Sequence, residues 1–332
     1  MATRWGIAGC GKISHDFVTA LNVLPKSEHV VIAVAAQDLS RAENFAATHN
    51  VKKAYDSYEK LAKDEEIDVV YVGTIHPTHL SVAQLMLSNK KHVLCEKPLT
   101  LNYKQTSQLI NTAKSKNLFL MEAIWSRCFP AYDIIKKEIA SGSIGEVYQV
   151  LVSFGFNLSG VDRLELKKLG GGTILDLGVY GIQFACHIFD HEVPQSVKAS
   201  GCLNEEGVDI SATASFHYKG NRTATMLFHS KVDLPNEAYV LGTKGMIKIP
   251  QFWSPSKLEL SNGKVVDLPL PKTNLKFNFV NSVGLSYEAD EVRKCILKDM
   301  IESPKVSHAA SLLIAQLEDE IRKQVGVVYD DD

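Results

Sequence analysis

The sequence lacks the marks of a secreted, membrane-spanning or nucleic-acid-binding chain. Its six cysteines, Cys10, Cys95, Cys128, Cys186, Cys202 and Cys295, form no C-x-x-C pair. Their spacing indicates neither a zinc site nor a disulfide framework, and no metal is expected. No apolar run approaches the roughly 20 residues that a bilayer span needs. The first residues lead directly into a strand, with no charged segment and apolar core of a leader. A cytoplasmic setting with reduced thiols is therefore expected. Lys and Arg (36) nearly balance Asp and Glu (38), for a net charge of −2. Phosphate and anionic lipid are held by clustered cations, so neither nucleic acid nor a membrane surface is an expected partner. The acidic end, Asp330 to Asp332, reads as a solvated tail. No internal repeat or low-complexity segment is present.

What is present is ordinary globular composition, 45% hydrophobic and 22% charged over 332 residues, a length that suits two domains. Residues 5–8, 30–36, 69–73, 92–95 and 119–121 are short apolar runs, as expected of parallel strands covered on both faces. Helical patterns at 13–24, 40–49, 79–89 and 103–116 lie between them, with Ser40 as the expected cap of the second. This alternation predicts a Rossmann-type, doubly wound α/β domain over residues 1–123. The pattern then changes. Helices are expected at 131–141, 287–303 and 309–325, and a glycine-rich turn followed by a helix over 170–189. Strands are expected at 147–156, 196–202, 210–218, 222–229, 238–241, 246–249 and 257–260. Residues 124–332 are thus expected to form an α+β substrate domain on an open, mostly antiparallel sheet.

Three motifs carry chemistry. The first is Gly9-x-Gly11-x-x-Ser14, at the turn from the first strand to the first helix. Gly9 permits the tight turn, Gly11 lets backbone approach a pyrophosphate, and Ser14 is small enough for close helix–strand packing. The end of the second strand should meet the adenosine ribose. It reads Ala36-Gln37-Asp38-Leu39-Ser40-Arg41 and gives both signals. An acid there favours the free hydroxyl of NAD, whereas Ser40 and Arg41 suit a 2′-phosphate. The second motif, Glu96-Lys97-Pro98, ends an apolar strand and aims a cation into the crevice where α/β sheets bind ligands. Thr74-Ile75-His76-Pro77-Thr78-His79 lies at the same edge, with His76 and His79 as candidates for the nicotinamide side.

The third motif follows the glycine turn 170–172. On a helix, Asp176 and Tyr180 are four apart and share a face. Free tyrosine has a pKa of about 10, and an adjacent ammonium lowers it. Lys97 and Tyr180 therefore make chemical sense together: the phenol or the amine accepts an alcohol proton while hydride leaves for nicotinamide. Asp176 would orient the pair or hold a substrate hydroxyl.

Together these segments resemble the glucose–fructose oxidoreductase and inositol dehydrogenase family. The likeness runs nearly end to end and includes Met121-Glu122-Ala123-x-Trp125-x-Arg127. Many members carry His where Tyr180 stands; the tyrosine resembles a dimeric branch of the family that oxidises cyclic diols and D-xylose. That resemblance implies trans-1,2-dihydrobenzene-1,2-diol or D-xylose as hydride donor and NADP⁺ as acceptor, with NAD as the alternative. It puts Lys97 and Tyr180 at the reacting hydroxyl. Asp176, Trp125, Phe154, Phe279 and His79 stand around the substrate. Gly9, Gly11, Lys12, Ile13, Gln37, Ser40, Arg41, Thr74, His76, Glu96, Lys97 and Arg127 line the cofactor. It also implies a homodimer through the C-terminal sheets. Gln37 is a departure, because arginine usually stands there, and Arg41 is left to hold a 2′-phosphate. Two alternatives stay open: an oxidoreductase for another polyol or dicarbonyl sugar, and a nucleotide-binding sensor without turnover.

Overall fold

The computed structural model describes residues 1–332, with six strands in one sheet and eight in another. The first sheet contains β1 (Thr3–Ala8), β2 (His29–Ala35), β3 (Lys53–Tyr55), β4 (Val69–Val72), β5 (His92–Glu96) and β6 (Leu120–Ala123). Its order is β3-β2-β1-β4-β5-β6, and every pairing is parallel. The connecting helices are α1 (Lys12–Leu21), α2 (Leu39–His49), α3 (Tyr58–Lys63), α4 (His79–Ser88) and α5 (Tyr103–Lys116). All four residues of β4 are fully buried, which is why that strand reads as unbroken apolar sequence. The strand order reverses at β1 and β4, so the crevice for a ligand opens beyond their carboxyl ends.

Two details differ from expectation. The cap of α2 is Asp38 rather than Ser40: its carboxylate accepts from the Ser40 amide at 2.8 Å and hydroxyl at 2.7 Å. An acceptor is needed one residue before the helix, and Asp38 supplies it. The pair β3 and α3 has no counterpart in the apolar pattern, because β3 is three half-buried residues, one of them a lysine. Ser57 caps α3 by accepting from the Lys60 amide.

The second sheet contains β7 (Val147–Gly155), β8 (Ser196–Leu203), β9 (Asp209–His217), β10 (Thr223–His229), β11 (Glu237–Gly242), β12 (Gly245–Pro250), β13 (Lys257–Leu260) and β14 (Val265–Asp267). The order is β14-β13-β12-β11-β7-β10-β9-β8. Only β7 and β10 pair in parallel; the rest are antiparallel. Strand alternation sorts the side chains. Val150, Val152, Phe154, Ala224, Met226, Phe228, Ala238 and Val240 are buried on one face. Leu151 and Leu227 stand on the other, each 39% exposed. The helices of this part are α6 (Pro130–Ala140), α7 (Asp162–Glu165), α8 (Val179–Ile188) and most of α10 (His308–Val325). No helix is long and apolar enough to cross a membrane.

Sequence order divides the chain between residues 123 and 124, but the compact units are not each one stretch of chain. Unit one is Met1–Thr100, Lys104–Cys128 and Leu270–His308; unit two is Leu101–Tyr103, Phe129–Pro269 and Ala309–Asp332. The returning segment carries α9 (Leu285–Ile296), shorter than the pattern at 287–303 suggests, and it packs on α1.

Helix α8 lies close on its sheet at Gly181, where a Cβ would meet the fully buried Phe228 ring at 2.7 Å. Phe228 has no room to yield, since interiors are packed to crystal-like density. The variant Gly181→Val is therefore expected to lose roughly 1–3 kcal/mol of stability by denaturant titration; an unchanged midpoint would contradict this packing.

Candidate active site

In unit one the site is built on the first turn. Gly9 has φ +98°, and a Cβ there would lie 2.7 Å from the Gly73 carbonyl oxygen, so only glycine fits. A Cβ on Gly73 would in turn lie 2.3 Å from Ser14 Oγ. Ser14 is fully buried, as its place in the motif requires. Gly11 precedes α1 with no side chain capping the helix. The first amides of α1 thus have no side-chain acceptor, which is the arrangement a pyrophosphate fits. Lys12 is exposed and Ile13 half-buried at this end.

At the end of β2, Gln37, Ser40 and Arg41 are exposed. Burial pushes the Cys10 thiol up to about 11, and the Arg41 charge opposes that shift. The bonds from Ser40 lower the Asp38 carboxyl below its ordinary value, and it stays ionised as the helix cap.

Beyond β4 the geometry corrects one expectation. His79, read as a substrate contact, is fully buried. Its Nδ1 lies 2.9 Å from Pro98 O and its Nε2 lies 3.2 Å from Thr74 O. Burial lowers its pKa, and the Lys97 charge adds to this. The neutral ring has one N–H to donate and faces two carbonyls. It ties the Thr74 loop to the Glu96-Lys97-Pro98 segment instead of facing substrate. His76, also buried, meets its ring edge-on at 5.7 Å between centroids. Tyr71 donates to Glu96 Oε1 at 2.5 Å, and the Leu99 amide donates to Glu122 Oε1 at 3.0 Å. These buried carboxylates on either side of Lys97 fix its backbone, while the lysine itself is half-exposed. Glu288 of α9 is a third buried acid, which burial and the Glu96 charge push well above the usual carboxyl range. Trp125 and Arg127 are buried in a single helical turn after β6. Phe279 is 45% exposed.

In unit two, Asp176 and Tyr180 do not share one α-helix. Residues Ile174–Gly178 form a π-helical turn, and α8 begins at Val179. Such wide turns are rare and place side chains off the ordinary α-helical spacing. Asp176 pairs with Arg163, 2.7 Å from Nη1 to Oδ1, a partner the sequence reading missed because it lies in the four-residue α7. Tyr180 is 8% exposed and meets Phe154 edge-on at 5.5 Å. Phe154 also meets Phe156, Phe252 and Trp253. The structure thus brings Tyr180 and Phe154 together and adds Trp253, which only tertiary packing reveals. Lys97 and Tyr180 belong to different compact units.

Two other features lie off this edge. A recess of about 1220 Å³ is lined by Arg4, Asp68, Lys91, His92 and Arg293. It sits at the amino ends of β1, β4 and β5, opposite the edge where the loops gather. Glu28, His29 and Asp290 form a cluster with metal-like spacing. Trp5 Nε1 donates to His29 Nδ1 at 3.2 Å, so neutral His29 carries its proton on Nε2, which leaves no lone pair there for a metal.

Comparison with known proteins gives the class and then its relatives. Residues 3–124 match the oxidoreductase family with an NAD-binding Rossmann fold, and residues 132–248 match the GFO/IDH/MocA C-terminal domain. The chain belongs to this family of nicotinamide-nucleotide oxidoreductases. A trans-1,2-dihydrobenzene-1,2-diol dehydrogenase from Danio rerio is 48% identical, covering 100% of this chain and 99% of the relative. A dehydrogenase of the same name from Homo sapiens is 42% identical over the same shares. Among solved structures, a 3-ketoreductase from Actinomadura kijaniata with NADP has a TM-score of 0.83 at 24% identity, covering 99% of both chains. An aldose-aldose oxidoreductase from Caulobacter crescentus has a TM-score of 0.85 at 19% identity, covering 98% of both. At those identities the structures speak for the fold.

The π-helical turn is held by Asp209, whose Oδ2 accepts from the Ile174 amide at 2.7 Å. Asp209 is 1% exposed, and burial raises its carboxyl to about 6. Because the folded value lies above the unfolded one, this group's contribution is full below about pH 4. It is lost as pH rises through about 6. Asp209→Asn keeps an acceptor without the titration. The stability of the native chain relative to this variant is expected to fall by roughly 2–3 kcal/mol from pH 4 to 7, read by denaturant titration. Parallel curves would contradict it.

Proposed function

We propose that this chain is an NADP-dependent dehydrogenase of a cyclic diol or an aldose. It takes trans-1,2-dihydrobenzene-1,2-diol toward catechol, or D-xylose to D-xylono-1,5-lactone. The observation that carries this reading is Tyr180, an oxygen-bearing ring set edge-on against Phe154 within a wall of Phe156, Phe252 and Trp253. Such a wall suits a ring-shaped, uncharged substrate whose hydroxyl must meet a proton acceptor. The names of the relatives at 42% and 48% identity support the diol.

When bound, the nicotinamide accepts the hydride. The chain's residues handle the proton: Lys97 and Tyr180 stand at the reacting hydroxyl, one taking its proton while the ammonium stabilises the developing charge on oxygen. Asp176, held by Arg163, orients a neighbouring hydroxyl. Trp125 and Phe279 are further apolar groups for the substrate. The glycine loop, Lys12, Ile13, Thr74, His76, Glu96 and Arg127 line the nucleotide. Arg41 supports the choice of NADP, because it is an exposed cation just beyond β2 while Asp38 is committed to capping α2. The half-exposed apolar residues of the second sheet, Leu151 and Leu227 among them, support a homodimer through that face. The free cysteines suit a cytoplasmic setting.

Four outcomes are expected. Nicotinamide absorbance should rise with NADP⁺ and either substrate. Tyr180→Phe and Lys97→Met should each cut kcat by about 100-fold or more, and turnover intact in both variants would refute the assignment. Arg41→Ala should raise KM for NADP⁺ by about tenfold and leave that for NAD⁺ nearly unchanged; equal effects on both would remove the 2′-phosphate role. The paired change Leu151→Glu with Leu227→Glu should convert a dimer to a monomer by light scattering, and an unchanged mass would place the interface elsewhere.

A further inference from the structure

Residues 268–281 form a strap without regular structure that leads from unit two's last strand into the turn before α9. Most of its side chains are exposed: Leu275 is 43% exposed, Phe279 45% and Val280 56%. A long irregular segment bearing apolar side chains needs an anchor to hold one conformation. The anchor is Asp16, two residues after Ser14 on α1 and itself fully buried. Its Oδ1 accepts from the Asn278 amide and from Asn278 Nδ2, both at 2.8 Å, and its Oδ2 accepts from the Phe279 amide at 2.9 Å. Asn278 Nδ2 also lies 3.3 Å from the carbonyl oxygen of Lys12, the first residue of α1. Consecutive strap amides and one side-chain amide thus converge on a single carboxylate. Charge-assisted bonds of this kind are among the stronger ones a protein makes.

We propose that Asp16 is a positioning residue. From the dinucleotide helix it fixes the strap at Asn278 and Phe279, and so sets where the Phe279 ring stands for the substrate. This rests on the reading above, in which Phe279 lines the substrate side. The Gly9–Ser14 turn and the strap are then one mechanical piece: the helix whose first amides face the nucleotide also holds the ring that faces the substrate. An asparagine at 16 keeps the size but halves the accepting oxygens and turns a donor toward the strap amides, so its effect should fall on the strap.

The test has two arms. Hydrogen exchange over 274–284 reads the anchor without any substrate: Asp16→Asn should exchange about tenfold faster or more at Asn278 and Phe279. Exchange unchanged from the native chain would overturn the proposal. Kinetics read the consequence. Asp16→Asn should lower kcat/KM for the diol or aldose about tenfold, chiefly through KM. The dissociation constant for the nucleotide should move less than about twofold. Phe279→Ala should produce a similar loss, and the double variant no more than Phe279→Ala alone, because both act through one ring. Additive losses, or a mobile strap with unchanged KM, would overturn the positioning role. Asn278→Ala, at an exposed position, removes only the side-chain bonds and should show a smaller shift of the same kind if Asp16→Asn fails to fold. A native chain that turns over neither substrate removes the functional reading and the kinetic role with it; the exchange arm then decides the anchor alone.

Discussion

The close approach of the first and fourth strands' loops is the constraint on which the nucleotide half of this molecule depends. Gly9, Gly73 and Ser14 meet within distances that no larger side chain tolerates. That contact lets β1 end against β4 and lets α1 start with free amides at the carboxyl edge of the sheet. Everything assigned to the nucleotide follows from it. The Thr74 loop comes back over Gly73, and the buried His79 ring pins that loop to Pro98. Lys97 thus acquires its position from backbone and buried carboxylates.

The substrate half depends on a different device. The second sheet buries one face so completely that a glycine at 181 is needed to seat α8. Ahead of α8 the chain widens into a π-helical turn held by Asp209. This turn separates Asp176 from the spacing an α-helix would give it and hands the carboxylate to Arg163. Tyr180 follows on the regular helix and stands against Phe154. Asp176 and Tyr180 are thereby presented on adjacent turns of one segment. Such departures from regular structure are expected where a site has to be shaped.

Much of this is legible in the sequence, and the exceptions have physical causes. The strands β1, β2, β4 and β5 are read from unbroken apolar runs because burial on both faces removes polar residues. The glycine loop is read from spacing, because each glycine there answers a steric demand. Alternation reads most of the second sheet, although not β14, whose three residues are mostly exposed. The pair β3 and α3 is invisible, because a half-buried three-residue strand leaves no pattern. Arg163, Trp253 and Asp16 are also invisible, since each acts through a partner more than ten residues away in sequence. His79 misleads for the opposite reason: a histidine in a loop at the ligand edge looks chemical, yet both its nitrogens face backbone carbonyls. The residues 270–308 return to the first unit, and no local signal announces that.

The measurement that tests the account most directly is the fate of deuterium placed on the reacting carbon, at C1 of D-xylose or on both carbinol carbons of the dihydrodiol. If Lys97 and Tyr180 remove only the hydroxyl proton, the label must leave as hydride. The account predicts that each reduced nicotinamide carries one deuterium and that the native chain transfers it from at least one of these substrates. Aromatisation to catechol releases the diol's second deuterium to water; reduced nicotinamide without deuterium, or substrate recovered unreacted while nucleotide is demonstrably bound, would contradict the account.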